Sequence, residues 1–264
     1  DLRAHPGGIA HGDSQQRPHS VDAPPPFAVA LVQMAELLVL ADDLSGALDT
    51  GAQFAAHTVP TLVSTRIETL DQGWDRPISV LALDLESRHS APPEAAARVR
   101  RAVERARRVG IGSFYKKTDS TLRGNLGSEL GALLEASGVS LLPFVPAYPA
   151  AGSTTAAGHH YVDGVPLHLS PYAADPQDPV RCSYIPEIIA DQCPLAVEVV
   201  EAAGGADDEV SLLNPSVGKR ILVFDAQSES DLRRVAVRLG RLDRLGVTAG
   251  CAGFAEQLAR AFPF

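Results

Sequence analysis

From Leu37 onward, short apolar runs alternate with longer amphipathic segments, the pattern of βα units wound about a parallel sheet. The apolar runs predict strands at 37–41, 61–64, 79–84, 113–116, 141–145, 195–200 and 221–224. The amphipathic segments predict helices at 49–57, 93–109, 125–137, 184–192, 231–239 and 254–261. Leu37-Leu38-Val39-Leu40 and Ile221-Leu222-Val223-Phe224 are apolar throughout, as expected of strands covered on both faces. The expected fold is therefore α/β, an open, mostly parallel, doubly wound (Rossmann-like) sheet. Between Pro146 and Pro179 the pattern gives way to Pro, Gly and polar residues. Within that stretch, His160 to Leu167 reads as a β-hairpin turning at Asp163-Gly164, an insertion expected over the carboxyl edge of the sheet. Residues 201–219 carry no readable period.

Composition narrows the picture. A hydrophobic content of 45% over 264 residues supports one large core. Residues 1–34 hold three histidines, Pro24-Pro25-Pro26 and no period, so a flexible leader is expected there, non-native or disordered. The single methionine, Met34, stands just before the first strand, and the folded domain is expected to span 35–264. A net charge of −9 disfavours general nucleic-acid and membrane-surface binding, which reward a basic face. Cys182, Cys193 and Cys251 are too few and too scattered for a disulfide framework or a Cys-x-x-Cys metal pair. No signal peptide or spanning segment is read, so a cytoplasmic location is expected.

In an open parallel sheet ligands bind beyond the carboxyl ends of the strands, so the residues following each strand carry the candidate chemistry. After the first strand come Asp42, Asp43, Leu44, Ser45 and Gly46. Two carboxylates at a strand end can orient a hydroxyl, accept its proton or hold a metal-bound phosphate; turn and N-cap chemistry is the competing reading. After the fourth strand come Lys116, Lys117, Thr118, Asp119, Ser120, Thr121, Leu122, Arg123, Gly124 and Asn125, leading into a helix. Three cations, hydroxyls and a helix N-terminus suit an anion. Gly124 permits close backbone approach, and Arg123 can clamp a carboxylate or phosphate with two parallel hydrogen bonds. Ser87 and Arg88 follow the third strand and add a hydroxyl and a cation. The proline loop from Pro146 to Thr155 offers hydroxyls, Ser153 among them.

His159, His160, Asp163 and His168 tempt a metal assignment. On a hairpin, however, His159 and His160 point to opposite faces, and no metal site is predicted. No Walker loop, dinucleotide fingerprint or Gly-x-Ser-x-Gly elbow is present.

At these residues the chain resembles the four-carbon acid sugar kinase family. The matching stretches are 41–47, 86–88, 116–125, 146–149 and 160–166, followed by Asp175-Pro176, Asp178-Pro179-Val180 and Ile185-Pro186. The resemblance implies ATP-dependent phosphorylation of a hydroxyl on an acid such as threonate or erythronate, with Mg2+. It implies an N-terminal domain that binds the sugar acid and a C-terminal domain that binds most of the nucleotide. By that resemblance Arg88, Lys116, Lys117 and Arg123 would neutralise the carboxylate or the transferring phosphate, while Asp42, Asp43 and Asp119 would orient hydroxyls, one of them acting as base. Ser45, Gly46, Ser87, Ser120, Gly124, Asn125 and Ser153 complete the expected substrate site.

Three departures from the family pattern stand out. Ser153 occupies a position usually held by arginine, and one lost charge-assisted contact is worth about 1.5–3 kcal/mol, or roughly 10- to 100-fold in affinity. Gly250-Cys251-Ala252-Gly253 replaces a Gly-Ser-Ala-Gly turn whose serine contacts nucleotide, so Cys251 is the expected nucleotide-side residue. The chain also ends at Phe264, where the family continues, so the C-terminal nucleotide-binding domain is expected to be the missing partner. The expected function is the substrate-binding half of such a kinase. A catalytically inactive anion or metabolite binder is the alternative, with an effector or interaction protein behind it. A homodimer is compatible with all of these.

Overall fold

A computed structural model describes residues 35–72, 74–202, 204 and 218–264. The expected leader at 1–34 and much of the unreadable 201–219 stretch lie outside the described residues.

The strands of the main sheet are β1 (Leu37–Ala41), β2 (Thr61–Ser64), β3 (Val80–Asp84), β4 (Ser113–Lys117), β5 (Leu141–Val145), β9 (Ala196–Val200), β10 (Arg220–Phe224) and β11 (Val247–Gly250). They lie in the order β2-β3-β1-β4-β11-β5-β10-β9, and every neighbouring pair is parallel. The helices are α1 (Leu44–Ala56), α2 (Pro92–Arg108), α3 (Leu126–Ser137), α4 (Ile185–Ala190), α5 (Glu229–Arg241) and α6 (Ala252–Ala261). The expected doubly wound α/β fold is what the structure shows.

Side chains on a strand alternate between faces, and here that alternation divides the core. Leu38, Leu40, Leu81, Leu83, Phe114 and Phe144 pack with α2, α3 and α4. Leu37, Val39, Val80, Ala82, Tyr115 and Val145 pack with α1, α5 and α6. Both faces are covered, so the central strands are buried along their length, which is why they lack polar alternation.

The insertion forms a second, antiparallel sheet of β6 (Ser153–Ala156), β7 (His159–Val162) and β8 (Val165–Pro166). Asp163 and Gly164 make the expected turn with φ of 50° and 75°, the two positive values that a type I′ hairpin requires.

Beyond shifts of one or two residues at the ends of other elements, β4 among them, and the unexpected strand β6, two elements differ from expectation. Helix α1 begins at Leu44 instead of 49 because Asp43 caps it, its Oδ1 accepting from the Gly46 N–H at 2.7 Å. Strand β11 was not expected, since Val247-Thr248-Ala249-Gly250 is four residues of small or branched side chains ending in glycine. It sits between β4 and β5, where even a methyl group at Gly250 would lie 2.4 Å from the Val145 carbonyl oxygen.

Candidate functional site

Strands β1, β4 and β11 are neighbours, and the chain segments leaving their carboxyl ends surround one cleft of about 480 Å³. Its lining includes Asp43, Ser45, Gly46, Asp49, Arg88, Lys117, Asp119, Ser120, Arg123, Tyr148 and Cys251. Most of the charged residues picked from the sequence therefore meet in one hollow.

Arg88 organises the inner wall. Its Nε donates to Asp42 Oδ2 at 2.7 Å, its Nη1 pairs with Asp43 Oδ2 at 2.7 Å, and its Nη2 lies 3.8 Å from Asp119 Oδ1. Arg123 builds the opposite wall, with Nε donating to Asp119 Oδ2 at 2.7 Å and Nη1 to Asp175 Oδ2 at 3.0 Å. The Tyr172 ring lies against the Arg123 guanidinium, 5.4 Å from centroid to Cζ. Burial opposes ionisation of Asp119, but the hydrogen bond from Arg123, the charge of Arg88 and the Thr121 hydroxyl override it and hold the carboxyl down at about 2. Asp119 is thus a fixed anion and a weak proton acceptor.

The loops carrying these arginines are locked together. The Asn125 side-chain amide donates to the carbonyls of Ser87, Arg88 and Ser90 at 2.8, 3.2 and 2.9 Å. Gly124, at φ 81°, lies against the Arg88 backbone, and a Cβ there would fall 3.1 Å from the Arg88 carbonyl oxygen. The close approach expected of Gly124 is therefore to Arg88.

Several expected site residues lie elsewhere. Lys116 is fully buried on the α2/α3 face, where its Nζ pairs with Glu129 Oε2 at 3.1 Å and donates to the Lys117 carbonyl at 2.8 Å. This corrects its expected place in the cleft: adjacent strand residues face opposite ways, and only Lys117 points toward α1. Ser87 is buried beside it, its Oγ donating to Glu129 Oε1 at 2.5 Å. Ser153 is buried and accepts from the Tyr148 N–H at 3.0 Å, holding the proline loop and not the cleft lining. Asp42 is buried behind Arg88. Cys251 borders the cleft, yet its thiol donates to the Pro146 carbonyl at 2.5 Å, and burial pushes it up to about 12.

His160 is fully buried. Its Nε2 lies 2.8 Å from the Ser120 carbonyl and its Nδ1 3.2 Å from Thr155 Oγ1. A carbonyl only accepts, so the proton is assigned to Nε2 and the Thr155 hydroxyl donates to Nδ1. His159 points the other way and stacks on Tyr184 with centroids 4.9 Å apart.

Asp49 and Tyr148 line the cleft and are not among the site residues that the sequence points to. With α1 beginning at Leu44, Ser45 and Asp49 stand four residues apart on one helix face, a signal hidden by the later helix start expected. Asp49 is exposed, and its side chain has no hydrogen bond or ion pair among the described residues. A second hollow of about 400 Å³ beyond β2 and β3 is lined by Arg66, Arg98, Arg101, Glu68, Glu86 and Glu94; none of the expected site residues reaches it.

Fold and site together define a doubly wound α/β domain with a charged cleft at the carboxyl edge of its sheet. Residues 37–258 match the family described as "Sugar-binding N-terminal domain", and the chain belongs to that family. It is 35% identical over 227 residues to a D-threonate kinase of Bordetella bronchiseptica, covering 85% of this chain and 55% of that protein. It is 34% identical over 235 residues to a D-erythronate kinase of Heliobacterium modesticaldum, covering 86% and 53%. A crystal structure of a domain of unknown function from B. bronchiseptica, with bound citrate and described as a domain-swapped dimer, superposes with a TM-score of 0.76 at 33% identity, over 86% of this chain and 56% of that one. The chain spans about half the length of the curated relatives it matches. Among the described residues no helix is long and apolar enough to cross a membrane.

Proposed function

We propose that this chain is the acid-binding half of an ATP-dependent kinase that phosphorylates a hydroxyl of a four-carbon sugar acid of the threonate or erythronate type. One observation carries the reading: Arg88, Arg123 and Lys117 meet Asp43 and Asp119 in a single cleft at the carboxyl ends of β1, β4 and β11. A polyhydroxy acid needs that combination, cations for its carboxylate and fixed carboxylates to accept hydrogen bonds from its hydroxyls. The relatives named as threonate and erythronate kinases and the citrate held by the Bordetella domain support the same ligand class.

Within this reading Asp43 and Asp119 orient hydroxyls. Both Asp43 oxygens are engaged, one by the Gly46 N–H and one by Arg88, so the uncommitted Asp49 carboxylate is the better placed proton acceptor at the mouth. No three His, Cys, Asp or Glu side chains among the described residues are grouped to hold a metal, so Mg2+ would enter on the nucleotide phosphates. ATP and Mg2+ would supply the phosphoryl group and neutralise its charge during transfer. A nucleotide-binding domain, on the rest of a longer chain or on a second chain, would hold most of the ATP.

Isothermal titration with D-threonate and D-erythronate tests the proposal. Binding in the micromolar to millimolar range is expected, with transfer appearing when a relative's nucleotide domain is supplied. Arg123→Ala and Asp43→Asn should each weaken binding by about 10- to 100-fold with an unchanged circular dichroism spectrum; wild-type affinity in both would refute the site.

A second reading, a non-catalytic acid binder, draws on Cys251. Its thiol is spent on the Pro146 carbonyl, leaving no side-chain donor where the family's serine would meet nucleotide. Complementation that preserves acid binding but never yields transfer would select it.

A further inference from the structure

Lys116 and Glu129 form a buried pair whose geometry packing alone does not require. They and Ser87 are all buried, and none of the three lines the cleft. An apolar pair of similar volume is often no less stable in such a place, because the desolvation of two charges offsets their attraction. What the charged pair adds is direction. Glu129 stands in the first turn of α3 and directs its two oxygens to two different segments, Oε2 to Lys116 Nζ at 3.1 Å and Oε1 to the Ser87 hydroxyl at 2.5 Å. Lys116 Nζ extends the constraint by donating to the Lys117 carbonyl at 2.8 Å, where β4 ends and the chain runs on to Asp119.

Both segments lead into the cleft. Ser87 immediately precedes Arg88, and the end of β4 leads to Asp119, the carboxylate that lies 3.8 Å from Arg88 Nη2. The turn before Ser87 is strained: Glu86, a non-glycine, sits at φ 48°, a conformation that persists where neighbouring contacts over-determine it. Those contacts are on the backbone side of the turn. The Glu86 N–H donates to Asp84 Oδ1 at 2.8 Å, and the Ser87 and Arg88 N–H groups donate to the Asp42 carbonyl at 2.9 and 3.1 Å. Arg98 Nη1 donates to the Leu85 and Glu86 carbonyls at 2.7 and 2.6 Å. The bond from Ser87 Oγ to Glu129 adds an anchor from the turn's own side chain to the buried start of α3.

We infer that Glu129 is a positioning residue: through Ser87 on one side and Lys116 on the other it sets the placement of Arg88 against Asp119, and acts on the cleft from outside it. The inference rests on the acid-binding reading above and names a determinant of that cleft's shape. Groups that must be ordered when the ligand arrives lower its affinity, so loosening this anchor shows in binding even where the fold is intact.

Isothermal titration of the full chain with D-threonate, read beside urea denaturation, separates positioning from packing. Lys116→Met combined with Glu129→Leu leaves the net charge unchanged and fills the buried space with apolar side chains. Its urea midpoint should stay near that of wild type, while its affinity for D-threonate falls about 10-fold, the cost of ordering one or two side chains on binding. Ser87→Ala keeps the Lys116–Glu129 pair and cuts only the anchor to the turn. It should weaken binding in the same direction, by about 2- to 10-fold, and serves if the double variant does not fold. A folded variant of either kind that binds D-threonate as tightly as wild type assigns the pair to packing alone and overturns the inference while the acid-binding reading stands. A wild-type chain that does not bind D-threonate removes both.

Discussion

His160 shows what one residue contributes when its neighbours fix its protonation. Burial depresses its imidazole from 6.5 to about 4, and the Ser120 carbonyl and Thr155 hydroxyl use both ring nitrogens in the neutral form. The unfolded chain takes up a proton as pH falls through about 6.5, and the native chain does so only near 4, so between these values the unfolded state binds more protons. The stability contributed by neutral His160 is complete above about pH 6.5 and is lost progressively toward pH 4. By linkage the loss between about pH 7 and pH 5 is on the order of 2 kcal/mol. Urea denaturation at the two pH values should show it in wild type, and His160→Gln should flatten the difference; equal pH dependence in both proteins would contradict the account. His160 was legible only in part, because the hairpin alternation places it opposite His159, while its burial against Ser120 depends on a loop that the strand pattern does not locate.

At the level of elements, the two lysines ending β4 illustrate how a boundary decides a role. The expected strand stopped at 116, and a strand read in that way leaves Lys117 in the loop, with no constraint that it oppose Lys116. Once β4 runs to Lys117, alternation sends Lys116 to α3 and Lys117 to α1. Lys116 then belongs to the packing of β4 on α3, through Glu129, whose carboxyl is pushed up by burial even though Lys116 opposes the shift. Removing one partner of such a buried pair strands the other, at a cost of about 3–5 kcal/mol. Glu129→Ala should lower the urea midpoint accordingly, and Lys116→Met combined with Glu129→Leu should recover most of the loss. A double variant no more stable than Glu129→Ala alone would show that the pair contributes net stability beyond its mutual neutralisation. Ser87 and Asn125 look like ligand groups in the sequence for a related reason: a polar residue after a strand has the same signature whether it faces a cleft or ties two loops together.

Across the whole molecule, the order of winding was the least legible feature. Strand lengths and apolar runs disclosed a doubly wound sheet, but nothing local in Val247-Thr248-Ala249-Gly250 announces that the last strand enters the centre. There it separates β4 from β5, which are joined in sequence only through α3, and it places Cys251 at the cleft beside residues from β1 and β4. The Tyr115 hydroxyl donates to the Cys251 carbonyl at 2.6 Å, tying the middle of β4 to the residue after β11. Helix α6 follows at once and covers α1 and β4 with Phe254, Ala255 and Leu258, all buried in the core of that face. Removing residues 247–264 would therefore open the sheet along its middle, leaving facing edges of β4 and β5 with unpaired backbone groups and an uncovered apolar surface. Among the neighbouring strands of the described sheet, the β4–β11 pairing closes the longest loop, the closure with the largest chain-entropy cost. A chain ending at residue 246 should show no cooperative thermal transition and should bind an apolar dye, whereas the chain ending at Phe264 should melt in one step. If the shortened chain still melted cooperatively and bound D-threonate like the longer one, β11 would be an accessory strand, and the cleft would be complete without it.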